Sequence, residues 1–131
     1  MKLFYLFIPF VLSFFTFATP EDVIDRTAEL LKDGNAHELA ATFSPTIEMS
    51  IAGDENVYSS VQAEQLLADF FRRCQPKSAK VLHRITSNAN YRYAVIILNT
   101  TNGSYRTCVS LKNVNGKFEV NELRIEAEKT K

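Results

Sequence analysis

Residues 91–126 read YRYAVIILNTTNGSYRTCVSLKNVNGKFEVNELRIE, and this stretch decides the fold. Two Asn-Gly dipeptides, Asn102-Gly103 and Asn115-Gly116, separate three runs rich in β-branched and aromatic residues. Asn-Gly between such runs is the strongest short hairpin signal, because a type I′ turn needs positive φ at both central positions. The spacing predicts an antiparallel meander over 91–100, 104–113 and 117–126. A two-residue loop at Asn102-Gly103 pairs Thr101 with Ser104. It sets Leu98 against Thr107, Ile96 against Val109 and Ala94 against Leu111 on the core face, with Tyr105 opposite Thr100.

From Asn115-Gly116 onward, Phe118 and Val120 join that face. Regular pairing would then turn Glu122 and Arg124 inward and Leu123 and Ile125 outward. One extra residue near Asn121-Glu122 repairs this, so a β-bulge is expected there, bending the sheet. The second face is mixed, with Tyr93, Val95, Ile97 and Cys108 among Asn99, Arg106, Lys112 and Glu119. Lys112 opposite Glu119 reads as a surface ion pair. The apolar part of this face needs cover, from the third helix or from a second copy of the chain.

Upstream, Val81, His83 and Ile85 alternate with Leu82, Arg84 and Thr86, which reads as a further strand with His83 facing in. Ser59 and Gln62 make a capping-box pattern ahead of a helix. That helix carries a stripe of Ala63, Leu66, Leu67, Phe70, Phe71 and Cys74, and Gln75-Pro76 ends it. Ile47, Met49 and Ile51 alternate with Thr46, Glu48 and Ser50 as a half-buried strand, and Gly53 to Asn56 reads as a turn. Asn35 caps a short helix running to about Thr42, with Phe43 on its apolar side and Pro45 as its stop. A first helix starts with Thr19 as cap and Pro20 in the first turn, carries Val23, Thr27, Leu30 and Leu31, and closes at Gly34.

The N-terminus is different in kind. Lys2 precedes an apolar and aromatic run from Leu3 to Phe15, and Thr16-Phe17-Ala18 resembles a small-x-small cleavage site. This is the layout of a signal peptide over 1–18, leaving one domain over 19–131 that starts at Thr19. An uncleaved membrane anchor is the alternative. It is opposed by a run shorter than the about 20 residues a spanning helix needs, and by Pro9 within it. An exported, periplasmic or extracellular location is therefore expected.

The leader holds six of the ten Phe and only one charge, so 15 basic and 15 acidic residues become 14 and 15. That balance gives no reason to expect nucleic acid as a partner. In an oxidising compartment Cys74 and Cys108 invite a disulfide, and two buried free thiols are the alternative. Two Cys and two His do not make a zinc site, and no cofactor is expected.

The order helix, short helix, strand, helix and then four strands on a bent antiparallel sheet resembles the α+β cone of cystatin-like and nuclear transport factor 2-like proteins, which ketosteroid isomerase shares. The run from Tyr58 to Ala63, Phe70-Phe71, His83, the strand 91–100, Asn102 to Arg106 and Leu123-Arg124-Ile125 go further. They resemble a family of small secreted bacterial proteins, Domain of Unknown Function family 4783. The resemblance implies a cone with three N-terminal helices packed on the sheet, and it brings no catalytic residues with it.

Cones of this kind often hold an apolar ligand between helices and sheet. His83, Tyr105 and Tyr58 are the candidates to line such a site. The chemistry they suggest is limited, because neither His has an Asp or Ser partner at triad spacing and no nucleophile elbow is present. The leading expectation is a non-enzymatic domain that binds a small apolar ligand or a protein partner. One alternative is an isomerase- or dehydratase-like enzyme using His83 with a pocket Tyr. Another is a homodimeric module pairing through Tyr93, Val95 and Ile97.

Overall fold

A computed structural model of the chain describes residues 22–128. The expected leader, Thr19 and Pro20 lie outside them. The elements run α1 (Val23–Asp33), α2 (Ala36–Ala40), β1 (Phe43–Ile51), β2 (Asp54–Ser59), α3 (Ser60–Arg73), β3 (Pro76–Asn88), β4 (Tyr91–Thr100), β5 (Gly103–Val114) and β6 (Lys117–Ala127). The six strands form one sheet in the order β2-β1-β6-β5-β4-β3. Every adjacent pair is antiparallel except β1 and β6, which run parallel. The expected all-antiparallel sheet is corrected in that one place: β1 lies beside the last strand.

Local chemistry explains the helix ends. Asp22 caps α1, its carboxylate accepting from the Ile24 N–H at 2.8 Å. The cap thus sits three residues later than Thr19, two before Ile24, the first buried apolar residue. Gly34 closes α1 at φ +63°, where a Cβ would come within 3.4 Å of the Pro76 ring. Asn35 caps α2, accepting from the Glu38 N–H at 3.1 Å. Ser59 and Gln62 close the capping box of α3 as the pattern predicts.

α2 stops at Ala40, and Phe43 opens β1 instead of finishing the helix. Pro45 therefore lies within a strand. Pairing of β1 with β6 lapses between Phe43 and Glu48, and pairing with β2 begins at Thr46. The missing Pro45 N–H falls in that gap, where no ladder bond is lost.

One strand is new. Asp54-Glu55-Asn56 is not part of a turn but the start of β2, which pairs with β1 from Thr46–Ser59 to Ile51–Asp54. The turn is Ala52-Gly53, both at positive φ (+54° and +95°).

In the meander the face assignment holds and the register moves by two. Thr100 pairs with Gly103, so Leu98 faces Tyr105, Ile96 faces Thr107 and Ala94 faces Val109. Thr100 is the cause: its hydroxyl accepts from the Asn102 N–H at 3.0 Å and donates to the Gly103 carbonyl at 2.8 Å. That fixes Thr101-Asn102 as the corner and leaves Gly103 alone at positive φ (+109°). A two-residue slip preserves the faces because side chains alternate with period two. At the other turn Asn115 and Gly116 are both at positive φ (+53° and +86°), as type I′ requires.

The bulge is at Asn121. Leu111 pairs with Val120 and Ser110 with Glu122, so Asn121 is the unpaired extra residue. Leu123 and Ile125 are consequently fully buried against Val109, Thr107 and β1. Lys112 does stand opposite Glu119, but the expected ion pair is not made: Glu119 accepts a hydrogen bond from Ser44 at 3.3 Å.

All three helices pack on one face of the sheet. α1 lies over β3 and β4, and α3 lies over β1 and β2. Between helices and sheet, Leu31, Leu39, Met49, Leu67, Phe70, Ile96, Leu98, Leu123 and Ile125 are each at most 2% exposed. Burying one such side chain contributes about 1.5–3 kcal/mol, and together they fill the concavity.

Candidate functional site

On the α3 side the concavity has an open mouth. There, α3 stands off from the β1–β2 hairpin and leaves a cleft of about 200 Å³. Its floor is Met49, Ile51 and Leu66, and its rim is Tyr58, Asp54, Asp69 and Arg73 with Ala52 at one end. Leu66, Asp69 and Arg73 project from one side of α3 because residues three or four apart share a helix face. Asp54 and Tyr58 face them from β2, two steps of the pleat on either side of Asn56. Arg73 donates from Nε to the Asp69 carboxylate at 3.2 Å, so the rim presents a held guanidinium with Asp54 as a second carboxylate. Ala52 holds a positive φ that favours glycine, and its N–H donates to the Ile125 carbonyl at 2.9 Å.

Of the expected site residues, Tyr58 lines this cleft, half-buried against the core. Tyr105 is on the same side of the sheet, half-buried like Tyr58 but outside the cleft's lining. Its ring meets Phe70 edge-on, centroids 5.1 Å apart at 87°. Its hydroxyl is hydrogen-bonded to the Cys74 sulfur, 3.4 Å away. That bond, followed by burial, raises the Tyr105 pKa above the usual phenol value and keeps it neutral.

His83 is not in the site. Pairing slips between Val81 and His83, which makes Leu82 a bulge. Val81 still faces inward opposite Ile96, but His83 pairs with Val95 and Ile85 with Tyr93, both on the outer face. His83 is exposed there, on an edge strand. The structure therefore does not bring His83 together with Tyr58 or Tyr105. The isomerase-like constellation is not assembled.

The cysteines are also kept apart. Cys74 is buried at the end of α3 on the helix side, whereas Cys108 is half-buried on the outer face opposite Val95. Both are free, and the sheet lies between them. Among the described residues no group of three or more His, Cys, Asp and Glu is placed to hold a metal ion.

Neither α3 nor any other described element covers the outer face, so the expected cover by the third helix is not realised. The Cys108 thiol beside Tyr93, together with burial, pushes its phenol up to about 12. Tyr91 donates to the Ser110 hydroxyl at 3.1 Å. Val95 is only 5% exposed beneath its neighbours, but Ile85 is 51% exposed.

Only one side of the cleft's rim is legible in the sequence. Asp69 and Arg73 were legible as the i+3 and i+7 partners of Leu66 on α3. Their opposite wall was hidden because Asp54 to Asn56 looks like a turn.

The family described as Domain of unknown function (DUF4783) matches residues 24–126. Among solved structures, a DUF4783 family protein from Bacteroides uniformis is similar at TM-score 0.79 and 23% identity, covering 83% of this chain and 100% of its own. Another from Bacteroides ovatus is similar at TM-score 0.75 and 20% identity, covering 79% and 94%. A domain of unknown function with a cystatin-like fold from Nostoc punctiforme is similar at TM-score 0.66 and 11% identity, covering 82% and 74%. At these identities the structural likeness speaks to the fold alone. Among curated proteins, none matches the chain.

Proposed function

The chain belongs to the DUF4783 family, and from that premise we propose that it is an exported binding module that takes a small amphipathic molecule into the cleft between α3 and the β1–β2 hairpin. One observation carries this reading: an apolar floor and a mixed-charge rim meet in one cleft of about 200 Å³. That is room for six or seven waters at about 30 Å³ each. It is below the about 300 Å³ at which drug-sized sites begin. The occupant is thus a molecule of a few heavy atoms, or the tip of a longer one. Its apolar part rests on Met49, Ile51 and Leu66, and its polar end meets Tyr58, Asp54 or the Asp69–Arg73 pair.

A native mass spectrum of the exported protein, purified without added ligand, tests this. Extra mass that dissociates on activation is expected for the natural chain. Leu66→Trp should abolish it, because the indole fills the cleft from a position already 39% exposed and so leaves the core intact. The chain has no Trp of its own, so the new indole also reports any later filling of the cleft by fluorescence. A clean apo mass for the natural chain would sink the reading.

Export is proposed from the leader at 1–18. N-terminal sequencing of the exported protein should begin at Thr19. Recovery of intact Met1 would remove that part of the proposal.

A further inference from the structure

The outer face of the sheet divides by charge along its own midline. On β3, β4 and β5 the side chains that share a face with Tyr93, Val95 and Ile97 include Lys80, His83, Arg106 and Lys112, and no carboxylate. On β6, β1 and β2 the same face carries Glu119, Glu122, Glu126, Glu48 and Glu55. Arg124 lies among these, but its guanidinium is already held by Glu55 at 3.3 Å and Glu122 at 4.0 Å. Lys117 stands beside the turn. Each half is three strands wide, and the boundary runs between β5 and β6. Arg106 and Glu126 are register partners across that boundary, as are Lys112 and Glu119, yet neither pair closes an ion pair among the described residues.

We propose that this face is a two-fold interface between two copies of the chain, the basic half of each lying on the acidic half of the other. With the strands of the two sheets kept roughly aligned, as in sandwich packing, the twofold axis runs either across them or along them. An axis across the strands lays basic on basic and is repulsive. An axis along the strands, over the β5–β6 boundary, exchanges the halves and keeps each residue at its own height. The rows then match. Ile85, 51% exposed, meets the partner's Val57, 58% exposed. His83 meets the partner's Glu55, Arg106 the partner's Glu126 and Lys112 the partner's Glu119. Such isologous contacts each occur twice, so every complementary pair counts double.

The size is adequate. Six strands about 4.8 Å apart, paired over some 30 Å, give a face on the order of 700 Å². That is close to the about 800 Å² per partner of a standard interface.

Sedimentation of the purified protein at micromolar concentration should show a dimer. Arg106→Glu alone and Glu126→Arg alone each set like charges against each other twice, so each should weaken the dimer about tenfold or more. An equimolar mixture of the two variants should associate again as a heterodimer, because both contacts are then of opposite sign. Restoration by mixing cannot come from the neighbouring pair within one chain, which stays mismatched in each variant. Both positions are exposed, and unchanged circular dichroism confirms that the variants fold. A monomer at several hundred micromolar overturns the proposal. So does a dimer that neither reversal weakens, or a mixture no tighter than the variants alone.

Discussion

Leu123→Arg is expected to abolish cooperative folding, while Arg124→Leu, one residue later, should cost no more than about 2 kcal/mol. Leu123 is fully buried on β6, between Val109 of β5 and Met49 of β1. A guanidinium there has no acid within the core to meet it. Burying an unpaired charge costs more than the roughly 5–15 kcal/mol that a domain of this size has to lose. Arg124 points the other way and holds only exposed carboxylates, Glu55 and Glu122, so replacing it forfeits surface pairs worth about 0.2–1 kcal/mol each. The contrast reads out the bulge directly. Without the extra residue at Asn121, alternation counted from the Asn115-Gly116 turn exchanges the two faces and reverses the two outcomes. Urea titration followed by circular dichroism measures both. A folded Leu123→Arg would mean that β6 does not run through the core as it is placed here.

The same bulge shows what kind of feature the sequence discloses. Asn121 was legible because a fixed turn and a fixed hydrophobic pattern contradicted each other, and one residue reconciled them. Leu82 does the same thing in β3 and was not legible, because no turn of known type anchors the count on that strand. The cost was His83, which an unbroken alternation places inside and the bulge places outside. β2 was hidden for a different reason. An edge strand can form from main-chain pairing alone, so Asp54-Glu55-Asn56 needs no apolar signature to extend alongside β1. With it went one wall of the cleft. The Asn102-Gly103 register was misjudged because the side chain of Thr100, outside the dipeptide, chooses the corner. The faces survived that error, which is why the core side of the meander could be read while its cross-strand neighbours could not.

Phe70 ties the filled concavity to the region behind the cleft. Its ring is 2% exposed and packs edge-on against Tyr105, and 5.8 Å from the ring of Phe71 at 62°. Phe70→Ala should destabilise the protein by about 3–5 kcal/mol, from lost transfer energy and the void left behind. At about 4 °C or more per kcal/mol for a domain near 100 residues, the melting temperature should fall by at least about 12 °C. Phe70→Leu keeps most of the volume and should lose much less. The variant also has a spectroscopic consequence that a general loss of stability would not produce. Tyr105 has a raised pKa partly because it is buried, and the Phe70 ring supplies part of that cover. Opening the space next to it rehydrates the phenolate, so Tyr105 should ionise at lower pH in Phe70→Ala than in the natural chain. The Cys74 hydrogen bond, which is the larger cause of the shift, should keep it from returning fully to the ordinary phenol value. Ultraviolet absorbance titration of the folded variants, with Tyr105→Phe as the reference that removes this phenol, measures the change. A loss below about 1 kcal/mol together with an unmoved tyrosine titration would mean that the interior behind the cleft is not packed around Phe70.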